Sequence, residues 1–268
     1  MSIFADTIIR ARTLRGLVPV FRTMWRGYKH RQLEFKSDSQ SAALSFPTQT
    51  NPLFKYFSEH RQGRGIYKFD HYFERYEQHF SKFRGKEVHV LEVGMFSGGS
   101  LEMWRNYFGP SCKVYGVDID PRCKSYESDS VRVLTGDQSD KSFWRRVRQE
   151  VPAVDIVIDD GGHTAEQQIV SLEELLPHLR PGGVYVCEDV HEPFSEFAAY
   201  VCGLAQDLNS AELEYNFQDN ERYSVSRTNS LQSAIAGIHF YPFMAVIERT
   251  AAPVFELIAP KRGSQWLP

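Results

Sequence analysis

Cysteine is scarce in this 268-residue sequence: Cys112, Cys123, Cys187 and Cys202 are its four, and no two share a C-x-x-C spacing. That excludes a disulfide framework or a cysteine-based zinc site as the organising device, and reduced thiols fit a cytoplasmic protein. Long apolar runs are missing too, none approaching the roughly 18 to 20 residues of a membrane span, so no transmembrane segment is expected. Arginines interrupt the apolar residues at the N-terminus, and no secretion signal is read there. We find no internal repeat, no low-complexity tract and no RNA- or DNA-binding motif. What remains is an ordinary globular composition, 42% hydrophobic and 24% charged.

The net charge of -3 hides an asymmetry. Residues 1–86 hold 16 Lys/Arg against 7 Asp/Glu, a net +9, while residues 87–268 hold 15 against 27, a net -12. A basic leader on an acidic body suits either an anionic partner or an interface between the two parts, and we favour the interface. Apolar residues at helical intervals from Ile3 to Trp25 predict two short amphipathic helices broken at Pro19. Residues 1–64 therefore read as a basic helical extension that caps the pocket or pairs subunits in a homo-oligomer, with Lys36–Thr50 as a linker. From Tyr67 to Phe83 aromatics recur at three- and four-residue spacing among basic residues. Such a stripe is more often buried in a core than laid against nucleic acid, and no nucleic-acid partner is expected.

From Glu87 onward, apolar runs alternate with helical patterns. Strands are predicted at Val88–Val93, Lys113–Val117, Val131–Thr135, Asp155–Ile158 and Val184–Cys187. Helices are predicted at Leu101–Tyr107, Pro121–Tyr126, Lys141–Glu150, Thr164–Leu179 and Phe194–Leu208. This order specifies an α/β fold, a Rossmann-like parallel sheet covered by helices on both faces. Ala234–Tyr241 and Ala245–Arg249 add an antiparallel pair of strands at the C-terminal end. The domain spans residues 65–268.

Chemistry concentrates where strands end. The first runs out as Leu91-Glu92-Val93-Gly94-Met95-Phe96-Ser97-Gly98-Gly99-Ser100, a turn whose glycines let the backbone approach a ligand and whose helix start can hold an anion. The second ends at Asp118, placed to accept bonds from ribose hydroxyls. The fourth delivers Asp159-Asp160-Gly161-Gly162-His163, and the fifth delivers Glu188-Asp189. Carboxylates clustered with no basic residue beside them in sequence call for a hard divalent cation, and an all-oxygen set suits Mg²⁺. Such an ion acidifies a hydroxyl, and His163 can remove its proton near neutral pH. Asp159 is left as a helix cap or a partner of loop amides. His191 and His239, after or within strands, are read as ordinary polar residues in preference to substrate contacts.

The spacing Glu-x-Gly-x-x-x-Gly departs from the Gly-x-Gly-x-x-Gly of nicotinamide-binding turns. It resembles the first motif of class I S-adenosylmethionine-dependent methyltransferases. Together with Gly136-Asp137-Gln138, IDDGGH (Ile158 to His163) and RPGGVYVCEDV (Arg180 to Val190), it is similar to the macrocin and mycinamicin sugar O-methyltransferases. It also resembles the group of cephalosporin hydroxylases and rhamnosyl O-methyltransferases. The resemblance implies that Glu92, Gly94, Gly98 and Ser100 surround the methionine part of S-adenosylmethionine. It puts Asp118 on the ribose, and Asp137 and Gln138 around the adenine. Asp160, Glu188 and Asp189 would ligate Mg²⁺ or another divalent cation, and His163 would be the general base. The acceptor would be a small molecule, a sugar or glycosylated metabolite. Against this stand an oxygenase on the same fold, for which no two-His-one-carboxylate set is evident near these strands, and a non-catalytic binding protein with a vestigial pocket.

Overall fold

The computed structural model describes residues 18–29, 50–210, 214–216, 223–260 and 262–263. The chain forms two compact units, residues 1–45 and 46–268. In the first, residues 18–29 form a helix, α1, with Pro19 in its opening turn; the rest of the predicted leader and most of the linker lie outside the described residues.

The second unit begins with α2 (Pro52–Glu59), capped by the Asn51 side chain, and α3 (Tyr72–Phe80). Strands β1 (Val88–Val93), β2 (Cys112–Asp118), β3 (Val131–Thr135), β4 (Val154–Asp159) and β5 (Leu179–Cys187) then alternate with α4 (Gly99–Phe108), a 3₁₀ turn (Pro121–Tyr126), α5 (Lys141–Glu150) and α6 (Ala165–Leu175). After α7 (Glu196–Leu208) come β6 (Glu214–Asn216), β7 (Tyr223–Arg227), the short helix α8 (Ser230–Ala234), β8 (Ile235–Tyr241), β9 (Met244–Arg249) and β10 (Glu256–Pro260). The main sheet runs β3-β2-β1-β4-β5-β9-β8. Its first five strands are parallel, and β9 and β8 close it antiparallel, as the apolar patterns led us to expect.

Two boundaries differ instructively. The helix predicted to reach Leu179 ends at Leu175, because Pro177 cannot continue it and restricts the residue before it. The chain then enters β5 at Leu179, five residues earlier than its apolar run suggested. A second sheet, β10-β7-β6, was not anticipated, since its strands are short and β10 lies far along the chain from the other two.

Alternation along the strands sorts the core into two layers. Val88, Val90, Ile156, Ile158, Val184 and Val186 face α2, α3 and α4, where Tyr72, Phe73, Tyr76, Phe80 and Trp104 are buried. Leu91, Val93, Val157, Tyr185 and Cys187 face the opposite side with Phe143, Trp144, Leu172 and Phe197. The aromatic stripe of α3 is thus core.

Candidate active site

The alternation that sorts the core also sorts the carboxylates. Continuing the parity of Val90, Ile158 and Val186 by one step brings Glu92, Asp160 and Glu188 to the α3 side of the sheet's carboxyl edge. Asp159 continues the parity of Val157 and points the other way. There it is fully buried, accepting bonds from Gln138 Nε2 at 2.6 Å and Tyr185 Oη at 2.8 Å. Burial pushes its carboxyl up to about 7. Asp159 is therefore an internal tie, and Thr164, in a capping box with Gln167, caps α6.

Lys68 meets the three carboxylates. Its Nζ lies 2.6 Å from Asp160 Oδ2, 2.8 Å from Glu188 Oε2 and 3.7 Å from Glu92 Oε1. Burial alone would lower this amine, but Asp160, Glu188 and Glu92 outweigh it and hold the ammonium well above its ordinary range. No basic residue stands beside these carboxylates in sequence; the lysine comes from 92 positions upstream of Asp160, where local sequence gives no sign of it. Glu188 gives its other oxygen to Tyr76 Oη at 2.6 Å. Burial raises its carboxyl, with Lys68 and Tyr76 opposing.

Asp189 is separated from Glu188 by geometry. Its φ of 56° turns the chain out of the strand, and its Oδ1 accepts from Tyr72 Oη at 2.8 Å. Its Oδ2 lies 3.6 Å from His163 Nε2, which in turn is 4.0 Å from Asp160 Oδ1. His163 also has a positive φ, 59°, and its Nδ1 is buried with no hydrogen-bond partner among the described residues. Asp160, His163 and Asp189 thus form one group with metal-ligand spacing, to which Glu188 does not belong.

These residues open onto a cleft of about 720 Å³ lined by the turn after β1, the ends of β2 and β3 and the loop after β4. Gly94 (φ 82°) is required there, since a Cβ would lie 1.9 Å from the Asp160 carbonyl oxygen. Ser100 lines the cleft and donates to Glu92 Oε2 at 2.8 Å, fixing a carboxylate that burial pushes toward neutrality. Gly98 adopts a left-handed conformation just before α4.

Of the residues expected around the cofactor, Gly98 and the fully buried Glu92 do not line the cleft, and three more take a different form. Asp118 lines the cleft, but its Oδ2 accepts from the Met95 and Phe96 amides and its Oδ1 from the Asp120 amide. About one of its four acceptor positions is left for a ribose hydroxyl. Gln138 also lines the cleft, yet its side chain is spent on Asp159, Ser171 and the Gly162 amide. Asp137 is exposed, closes a turn on Ser139 and does not line the cleft.

Residues 91–190 match the family model of a methyltransferase domain, and the strand order above is that of a Rossmann-like methyltransferase fold. The chain carries a methyltransferase domain. Among curated proteins it is 34% identical, over 65% of this chain and 48% of the relative, to the 8-demethyl-8-(2-methoxy-alpha-L-rhamnosyl)-tetracenomycin-C 3'-O-methyltransferase of Streptomyces olivaceus. It is 32% identical, over 65% of this chain and 47% of the relative, to the demethylmacrocin O-methyltransferase of Streptomyces fradiae. The chain spans about half the length of the curated relatives it matches. Among solved structures it superposes on the MycE methyltransferase of mycinamycin biosynthesis, crystallised with Mg, S-adenosylhomocysteine and mycinamycin VI. That match has a TM-score of 0.59 and 27% identity over 75% of this chain and 53% of the other.

Proposed function

We propose that this protein transfers the methyl group of S-adenosylmethionine to a hydroxyl of a sugar-bearing small molecule, assisted by a divalent cation. The observation that carries the reading is the meeting of Asp160, His163 and Asp189 at the lip of the cleft behind Gly94. The relatives that are sugar O-methyltransferases support the class of acceptor.

The residues fit both groups. One ammonium faces three carboxylates, with Asp189 a fourth, so the site keeps an excess of negative charge that favours a cation. Asp160 Oδ1 and Asp189 Oδ2, the oxygens turned from Lys68 and Tyr72, are the atoms to hold a metal, which when bound would acidify and orient an acceptor hydroxyl. S-adenosylmethionine would supply an electrophilic methyl, with the turn Gly94–Ser100 beside its methionine part and Asp118 at the ribose. His163, whose Nε2 lies 3.6 Å from Asp189 Oδ2 and 4.0 Å from Asp160 Oδ1, takes the hydroxyl proton. Lys68 holds Asp160 and Glu188 in place; Glu188 anchors the lysine and stands behind the metal set rather than in it.

The test is a panel of glycosylated polyketides, free sugars and catechols incubated with S-adenosylmethionine and Mg²⁺, read by mass spectrometry. Gain of one methyl on a glycosylated acceptor is expected. Failure of every hydroxylated acceptor, with the folded protein binding the cofactor, contradicts the acceptor class.

A further inference from the structure

A second group of metal-ligating side chains lies outside the cleft. His79 comes from α3, His239 from the edge strand β8 and Glu248 from β9, and none of the three lines the cleft. On the paired strands Glu248 stands opposite Gly237, two residues from His239, so both side chains share the sheet face that α3 covers. Gly237 leaves the space that the His239 ring fills, since a Cβ there would approach its Nε2 to 3.2 Å.

We propose that His79 Nδ1, His239 Nε2 and the Glu248 carboxylate bind a borderline transition-metal ion of the Zn²⁺ class, which fastens α3 to the end of the sheet. His79 Nδ1 is 3.3 Å from Glu248 Oε1, and His239 Nε2 is 3.4 Å from Glu248 Oε2. Charge-assisted hydrogen bonds close to roughly 2.7–2.9 Å. Ligand atoms around a tetrahedral zinc with bonds of about 2.0–2.2 Å stand about 3.3–3.5 Å apart. The spacing is that of ligands around an ion. A small turn of the carboxylate presents one oxygen to both imidazoles.

Burial and hydrogen bonding agree with the spacing. His79 is buried. Its Nε2 lies 2.9 Å from Tyr241 Oη; donation of that N–H to the hydroxyl leaves the lone pair on Nδ1, as metal-bound histidines are usually fixed. His239 Nε2 is buried and makes no hydrogen bond among the described residues. Two imidazoles and one carboxylate select Zn²⁺, Co²⁺ or Ni²⁺ over the Mg²⁺ suited to the cleft. Lys82 Nζ, 3.3 Å from Glu248 Oε1, competes with the ion, but its side chain is 46% exposed and free to swing into solvent.

The ion would act on the active site through one helix. Tyr72, Tyr76 and His79 lie on one face of α3, and the two tyrosines hold Asp189 and Glu188. The same helix packs against the β8–β9 turn, where Tyr72 Oη lies 3.0 Å from the Phe243 carbonyl oxygen.

The experiment titrates the chelator-stripped full chain with Co²⁺ and Zn²⁺ in excess Mg²⁺, following the visible Co²⁺ spectrum and bound zinc. Wild type is expected to bind one ion with a tetrahedral Co²⁺ spectrum and to melt at a higher temperature with zinc. Lys82→Met should tighten binding several-fold, and His239→Gln and Glu248→Gln should each abolish the spectrum while circular dichroism reports an intact fold. Asp160→Asn should leave it in place. Absence of a tetrahedral spectrum in wild type and Lys82→Met, or its survival in His239→Gln, overturns the proposal.

Discussion

Lys68 and Glu188 form an ion pair at 2.8 Å in which the lysine side chain is 3% exposed and the carboxylate 1%. Glu92 and Asp160 share the same ammonium. Removing the lysine strands carboxylates in a medium that cannot solvate them. Lys68→Met should therefore lower stability by about 3–5 kcal/mol in denaturant titration. Adding Glu188→Gln to that variant should recover part of the loss. A Lys68→Met protein as stable as wild type would mean that the pair is not formed.

The proposed base is tested by His163→Gln, which keeps bulk and polarity but cannot accept the proton in the same way. Methyl transfer should fall by about 100- to 10,000-fold, while the affinity for S-adenosylmethionine stays within twofold or so of wild type. Equal turnover in the two proteins would remove His163 from the chemistry.

The divalent ion is tested by removal. Turnover should be lost in chelator and return with Mg²⁺, and Asp160→Asn should lose the Mg²⁺ response while still binding cofactor. Asp189→Asn should behave in the same way. Glu188→Gln should act differently, through stability more than through the Mg²⁺ requirement, because both its oxygens are engaged by Lys68 and Tyr76. Wild-type turnover that is unchanged in chelator would contradict the metal's role.

Much of the fold was legible because a buried parallel sheet announces itself as apolar runs separated by helical patterns, and β1, β3 and α5 fall where those patterns put them. The polar groups at strand ends were legible for the same reason. Which way each group points was not. Two adjacent aspartates diverge, Asp159 into the core and Asp160 to the cleft, because neighbouring strand residues face opposite sides, and the strand's frame is set only when it pairs. Glu188 and Asp189 part company at a left-handed residue that no composition rule marks. Lys68 and the pairing of His79 with His239 depend on contacts between distant segments, which only the folded topology reveals.

A pH effect should arise away from the cleft. Burial lowers the pKa of His178, whose Nε2 is enclosed without a hydrogen-bond partner among the described residues. The unfolded chain then takes up a proton that the folded chain refuses, so the stability this residue contributes is present above about pH 6.5 and is lost as pH falls toward its folded value. Denaturation midpoints measured between neutral and mildly acidic pH should decline less steeply in His178→Gln than in wild type. Parallel profiles would contradict this assignment.

We propose that the turn from Gly94 to Ser100 and the end of β2 form a site for S-adenosylmethionine, and isothermal titration of the full chain tests this. We expect one site per chain, and Gly94→Ala, which places a methyl group against the Asp160 carbonyl in a left-handed conformation, should weaken or abolish it. No heat of binding from folded wild-type protein at millimolar S-adenosylmethionine would contradict the account.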